Sequence, residues 1–545
     1  MKNIINYLII SMLVCSVARA QNYVLPKPQQ VLWQEQEQIM FLHWGPATWQ
    51  GHDLDDRSTP LSRINPVKLD VNQWIDAAEA FDAKEIIFVA KHTGGFCWWQ
   101  TETTDYSIKN TPYKGGKGDV LDDLAKACFA RGIKLGIYIY PGDDTWGAYI
   151  GGGGKTKDPA KQEGYNQVLR KQWEEVTSRY GKQLFEIWFD GSVVVPLEDI
   201  IRKYCYSPIV FQGPFANIRW VGNERGICPY PNWYTVKSED ALTGVATADN
   251  NDPDGDVWMP VEVNTVPRYH FWFWSPTNHT SLRSLDEMME IYYQSVGRGG
   301  LFLLNAAPDT TGLIPEIDME LYRKFGQEIK KRFGKSIAET SGKGEQVELK
   351  LDKPALIDHV IIQEDISAGQ RVRRYFIDGL QDGVWNTLAA GFSVGQKRIE
   401  RFKAVSVEAV RLRVVESSYP PVIKRLAVFY TGLKDEKLLS RGEKTERQAG
   451  RLTIGEDGTF EYDLSPFIPF AEQYTVSVRD GQWTLKIGKA SLWLQGVETP
   501  GFATVQSDGT VRINITAAPD MKKGSIILKG ALEKAATQQC GIFIR

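Results

Sequence analysis

Short apolar runs alternate with amphipathic stretches from Met40 to Arg332, and this alternation constrains the fold more than any other feature. Residues 40–45, 85–90, 134–140, 184–189, 208–212 and 300–305 read as buried strands, because they are largely apolar and end near turn residues. Between them, 73–81, 119–131, 284–296 and 316–332 carry apolar residues at helical spacing. The 119–131 helix puts Leu121, Leu124, Ala127 and Cys128 on one face and stops at Gly132, while Ser284 and Glu287 form a capping box. Strands joined by helices give a parallel sheet, and this many units close into a TIM-like (β/α) barrel. After Gly334 the period becomes two, as in Val347, Leu349 and Leu351, which predicts all-β structure. The expected fold is α/β: a barrel over 21–335, a β-sandwich over 336–432, a charged linker over 433–448 and a second β-sandwich over 449–545.

In such a barrel the residues at the C-terminal ends of strands carry the chemistry. Asp190 follows the 184–189 strand and precedes Gly191. An Asp there either caps a turn or acts in a pocket. His43 ends the first strand, and Lys91-His92-Thr93-Gly94-Gly95 follows the second.

The net charge of −3 over 545 residues leaves no nucleic-acid footprint. Residues 1–20 have a positive start, an apolar middle and Ala18-Arg19-Ala20 at the end, so they read as a signal peptide of a periplasmic or secreted protein. Cys15 makes a lipoprotein the weaker reading. No other run is apolar and long enough to span a bilayer. Cys97, Cys128, Cys205, Cys228 and Cys540 are scattered and read as buried thiols, and no group of His, Cys and carboxylates has metal-ligand spacing. Neither metal nor cofactor is expected. Gly151 to Gly154 suggests a phosphate loop, but no helix pattern opens there, and a loop near the barrel mouth is the better reading.

Several stretches together resemble the retaining α-L-fucosidases of glycoside hydrolase family 29. They are Phe41-Leu42-His43-Trp44-Gly45, Lys91-His92 with Phe96-Cys97-Trp98-Trp99, Thr104-Asp105-Tyr106-Ser107, residues 134–138 and Trp188-Phe189-Asp190-Gly191. The stretches 219–224 and 292–305 resemble the branch acting on α-1,3 and α-1,4 linkages, and 371–376 with 410–414 resemble a discoidin-like, galactose-binding module. The resemblance implies Asp190 as nucleophile and Glu224 as general acid/base. It implies His43, His92, Tyr138 and Arg219 as sugar contacts, with Trp220 beside the acid. The partner it implies is a fucosylated oligosaccharide or glycoprotein glycan. The chain departs from the family's His-His-Asp-Gly at His92-Thr93-Gly94-Gly95. That departure points to a shifted sugar choice, such as α-L-galactosides.

Retaining glycosidases need two carboxyl groups, one attacking and one donating a proton. Arg219 would keep Asp190 ionised if the two approach. Glu262, alone in an apolar run, is the rival acid to Glu224. Trp44, Trp98, Trp99, Trp272 and Trp274 are candidates for an apolar wall against the sugar, or for plain core. His52, His270 and His279 read as structural. The alternative from another class is a non-catalytic glycan-binding protein on a degenerate barrel.

Overall fold

A computed structural model describes residues 23–268, 271–277, 281–434, 447–464, 473–480, 483–515, 526–534 and 539–544. The leader, most of the charged linker, His270 and His279 lie outside these residues.

The barrel strands are β1 (Gln38–Leu42), β2 (Glu85–Lys91), β3 (Lys134–Ile139), β4 (Leu184–Trp188), β5 (Ile209–Phe211), β6 (Arg219–Trp220), β7 (Val261–Thr265) and β8 (Leu301–Ala306). All pair in parallel, in the order β5-β4-β3-β2-β1-β8-β7-β6, and a parallel bridge between Phe211 and Ile218 joins the two ends. β6 falls in a stretch that reads as loop, because two residues are too few to show a period. The α-helices of seven residues or more among the described residues are α1 (Pro28–Gln34), α2 (Val71–Ala80), α3 (Val120–Arg131), α4 (Gln162–Tyr180), α5 (Glu198–Tyr204), α6 (Leu285–Gln294) and α7 (Glu316–Phe333). Asp119 caps α3 by accepting from the Asp122 amide, and Gly132 ends it in the left-handed region at φ 72°. The Ser284–Glu287 capping box opens α6.

Side chains alternate between the two faces of each strand. Ile39 and Phe41, Ile87 and Val89, Tyr138, Trp188, and Leu301 and Leu303 share one core with Trp33 of α1, which identifies them as the barrel interior. Their neighbours Met40 and Leu42, Ile86 and Phe88, Ile137 and Ile139, and Phe302 and Leu304 pack outward against the helices. This parity decides which strand-end residues enter the site.

Beyond the barrel, six antiparallel strands form one sheet: β9 (Ala338–Lys343), β10 (Gln346–Glu364), β11 (Val372–Gln381), β12 (Val384–Gly391), β13 (Arg398–Ser417) and β14 (Val422–Phe429). β10 and β13 shift register between Lys350 and Ala355 and between Ile357 and His359. Both halves of β10 serve one core, with Val347 and Leu349 meeting Val360 and Ile362. Ile361, Ile399, Ala427 and Phe429 instead join the core of the barrel helices. The last module has a core of its own, built from Leu452, Val476 and Ile513 of one sheet and Phe460, Leu492 and Leu528 of another.

Candidate active site

Asp190 lies two residues beyond the inward-facing Trp188, so it too turns toward the barrel axis. Tyr138 of β3 donates its hydroxyl to Asp190 Oδ2 at 3.1 Å. Solvent reaches the Asp190 carboxylate, yet protein crowds it on its other sides. That crowding is the main reason its pKa is raised; the Tyr138 bond opposes the shift, and the charge of Glu224 adds to it. Glu224 is therefore close enough to act electrostatically on Asp190.

His43 follows the same parity from Phe41. Its Nδ1 meets Asn305 Oδ1 at 2.8 Å, and Asn305 Nδ2 donates to the Trp272 carbonyl at 2.7 Å. A carbonyl only accepts, so the amide orientation is fixed and His43 carries its proton on Nδ1. Its Nε2 is then a bare acceptor. Burial holds the His43 pKa well below the usual range, and burial also pushes His92 down to about 3. Both rings are neutral hydrogen-bonding groups at physiological pH. A register shift between Val89 and Lys91 breaks the parity of β2. Lys91 turns outward to a buried ion pair with Asp143 at 3.1 Å, and the His92 ring stacks 5.7 Å from Tyr138.

The 271–273 loop ties these groups together. Asp53 Oδ1 accepts the backbone amides of Trp272 and Phe273 at 2.9 and 3.0 Å. The Trp272 indole donates to Glu224 Oε2 at 3.3 Å, and its ring lies 5.0 Å from His43. Phe273 sets its ring edge-on to both histidines. Asp53, Asn305 and Phe273 escaped the sequence reading. Asn305 was within reach, since it shares parity with Leu301 and Leu303.

Other expected residues stand elsewhere. Trp44 and Trp98 are 0% and 1% exposed and stack on each other at 3.9 Å in the helix-side core, because Trp44 has the opposite parity to His43. Neither walls the pocket, and Trp99 is likewise core. Arg219 is fully buried and donates to the carbonyls of Trp233 and Thr247. Asp190 is not among the groups acting on it, so Arg219 does not hold the nucleophile candidate ionised. Desolvation lowers its pKa to about 10. Trp220, one residue on, turns inward and donates to Asn264 Oδ1 at 2.9 Å. Glu262 is 0% exposed and accepts from the Trp188 indole at 2.9 Å inside the barrel.

The departure at Gly94 has a counterpart in space. A Cβ on Gly94 would stand 2.0 Å from Asp55 Oδ2. The Asp55 carboxylate fills that volume, held by the Tyr106 hydroxyl at 2.9 Å, Gln50 Nε2 at 2.8 Å and the Arg57 amide at 2.8 Å. Among the described residues no group of three or more His, Cys, Asp and Glu is arranged to hold a metal ion, and no helix is long and apolar enough to cross a membrane.

A family model for alpha-L-fucosidase matches residues 33–332. Alpha-L-fucosidase 1 of Arabidopsis thaliana is 29% identical over 483 residues, which span 79% of this chain and 92% of that one. A crystal structure from Bacteroides thetaiotaomicron VPI-5482 is 31% identical, covers 76% of this chain and 100% of its own, and superposes with a TM-score of 0.71. A glycoside hydrolase 29 family member from an unknown rumen bacterium is 25% identical, covers 94% of this chain and 97% of its own, and gives a TM-score of 0.67. The family match spans more than half of the chain, and with these relatives it places the protein in the α-L-fucosidase family of glycoside hydrolases.

Proposed function

We propose that the enzyme removes terminal α-linked L-fucose from glycans with retention of configuration, using Asp190 as nucleophile and Glu224 as acid and base. The observation that carries this reading is the Tyr138–Asp190 contact, with Glu224 held by the Trp272 indole beside His43. The Asp190 carboxylate attacks the anomeric carbon while Glu224 gives its proton to the departing glycosidic oxygen. A glycosyl–Asp190 ester forms. Glu224, now ionised, takes a proton from water as the water oxygen attacks the same carbon, and the Asp190 carboxylate leaves. His43 accepts from a sugar hydroxyl through Nε2.

The stretches 219–224 and 292–305 support α-1,3 or α-1,4 linkages, and 371–376 with 410–414 support a discoidin-like second module. Residues 1–20 support export. A shift toward α-L-galactosides rests on the His missing at Thr93 and the carboxylate missing at Gly94; Asp55 fills the volume at Gly94, which weakens the second ground.

Two measurements test the reading. Proton NMR of the first sugar released from α-1,3- and α-1,4-fucosylated oligosaccharides should show the α anomer; the β anomer would overturn retention. Glu224→Ala should lose about 10²–10⁴-fold on oligosaccharides. On an activated aryl fucoside it should show a burst that azide relieves with a retained product, and equal losses on both substrates would remove Glu224 from the acid role.

A further inference from the structure

A cavity of about 690 Å³ opens beside Glu224. Glu224 and Trp272 form part of its wall, whereas Asp190, His43 and His92 do not line it. If Glu224 protonates the glycosidic oxygen, the groups beyond it face the leaving group. The wall sets apolar groups, Ile227, Val266, Phe271 and Ile291, beside charged ones, and its one indole suits the C–H face of a sugar. Its carboxylates, Asp53, Glu224, Glu287 and Glu290, outnumber its guanidinium groups, Arg225 and Arg283. That balance disfavours an anionic leaving group and suits a neutral, polyhydroxylated one.

One wall of the cavity is the face of α6 that carries Glu287, Glu290, Ile291 and Gln294, at helical spacing. Glu287 is committed to the helix cap. Glu290 is held from another domain. Arg401 of β13 grips both of its carboxylate oxygens at 2.7 and 2.8 Å, and Gln294 Nε2 adds a third bond at 2.8 Å. The Arg401 guanidinium also lies 4.6 Å above the Tyr293 ring, and Tyr293 meets His359 of β10 at 2.9 Å through its hydroxyl. A planar fork over a ring fixes direction as well as charge, which a lysine does not reproduce.

We infer that the β domain after the barrel helps determine specificity: Arg401 sets Glu290 in the wall of the cavity beyond Glu224, and that cavity binds the neutral sugar units of the leaving group. The inference rests on the acid role of Glu224.

The test compares Glu290→Gln and Arg401→Lys with the parent. The oligosaccharide substrate is α-1,3-fucosyl-N-acetyllactosamine or its α-1,4-linked isomer, whichever is cleaved faster. An aryl α-L-fucoside is the small substrate, and the defucosylated disaccharide is the inhibitor. Both variants should raise the KM for the oligosaccharide and the inhibition constant of the disaccharide by about tenfold, roughly the loss of one good contact. Aryl kcat/KM and Tm should stay near the parent's. Equal losses on both substrates would reduce Arg401 to a structural role and overturn the inference, as would unchanged inhibition by the disaccharide. Inhibition involves no proton transfer, so its response in the Glu290 and Arg401 variants does not depend on whether Glu224 is the acid. A failed Glu224→Ala rescue with weakened inhibition would point to the acid assignment alone. An intact rescue with unchanged inhibition would point to the cavity.

Discussion

Tyr138 donates its hydroxyl to Oδ2 of Asp190 at 3.1 Å, from a strand neighbouring the one that ends at the carboxylate. The bond favours the ionised form of a group whose pKa burial has raised. Tyr138→Phe keeps the ring that stacks on His92 and Trp188 but removes the donor. We expect kcat/KM to fall about 10–100-fold, the worth of one hydrogen bond to a charged group. The acid limb of the pH profile should move to higher pH, because Asp190 then ionises less readily. A limb that stays in place would remove Tyr138 from the control of Asp190.

Gly94 and Asp55 compete for one volume. Gly94→Ala drives a methyl group into the Asp55 carboxylate, and overpacking of this kind costs about 1–3 kcal/mol. Asp55→Ala alone frees three donors, so it too is expected to destabilise. Together the two changes should be less harmful than their sum, and a double-mutant cycle on Tm and kcat/KM reads that coupling. Strict additivity would show that the loops are independent.

Arg219 is expected to matter for stability and not for sugar binding. Arg219→Lys cannot reach both the Trp233 and Thr247 carbonyls, and the lost bonds come from a fully buried charged donor. A loss of about 2–4 kcal/mol is expected, with KM of the folded enzyme unchanged. A raised KM at unchanged Tm would restore the sugar contact.

Much of this was legible in the chain, and parity explains both the successes and the misses. The apolar runs gave the barrel, and Asp190 was visible because it closes such a run. Stepping by two from Phe41 reaches His43 and leaves Trp44 outside; stepping from Trp188 reaches Asp190. The same step from Ile218 selects Trp220 and turns Arg219 away. What parity does not give is contact across loops. Asp53 meets Trp272 and Phe273 some 219 residues further on, and the sequence carries no periodic signal for that. The register shift that aims His92 inward is likewise invisible without the neighbouring strand.

The catalytic residues proposed above all lie within 21–335, but that does not make the segment a stable unit. Ile361, Ile399, Ala427 and Phe429 are buried in the core of the barrel helices. Burying a large apolar side chain contributes about 1.5–3 kcal/mol, and a whole protein is stable by about 5–15. A chain ending at Gly334 should therefore be insoluble or unfolded by circular dichroism. One ending at Gly432 loses only a module with its own core, and it should keep aryl-fucosidase activity. An active, cooperatively melting chain ending at Gly334 would contradict this.

Glu85, Glu186 and Glu262 meet inside the barrel, all 0% exposed. Gly136 leaves them room, since a Cβ there would stand 3.0 Å from Glu85 Oε1 and 3.3 Å from Glu186 Cβ. Their donors are Gln36 for Glu85, Trp33 for Glu186 and Trp188 for Glu262. The charge of Glu262 adds to burial in raising Glu186. Burial raises all three: Glu85 to about 7, Glu262 to about 8, and Glu186 well above its ordinary value, with the charge of Lys134 opposing the shift at Glu85. Groups raised above their unfolded value of 4.5 stabilise the fold fully below it. That stability is lost as pH rises through the folded values of about 7 and 8. Tm should therefore fall between pH 5 and pH 9. Glu262→Gln mimics the protonated form and still accepts from Trp188, so it should flatten that decline and leave the ratio of oligosaccharide to aryl activity unchanged. A selective loss on oligosaccharides in Glu262→Gln, with the slope of Tm against pH untouched, would return the acid role to Glu262.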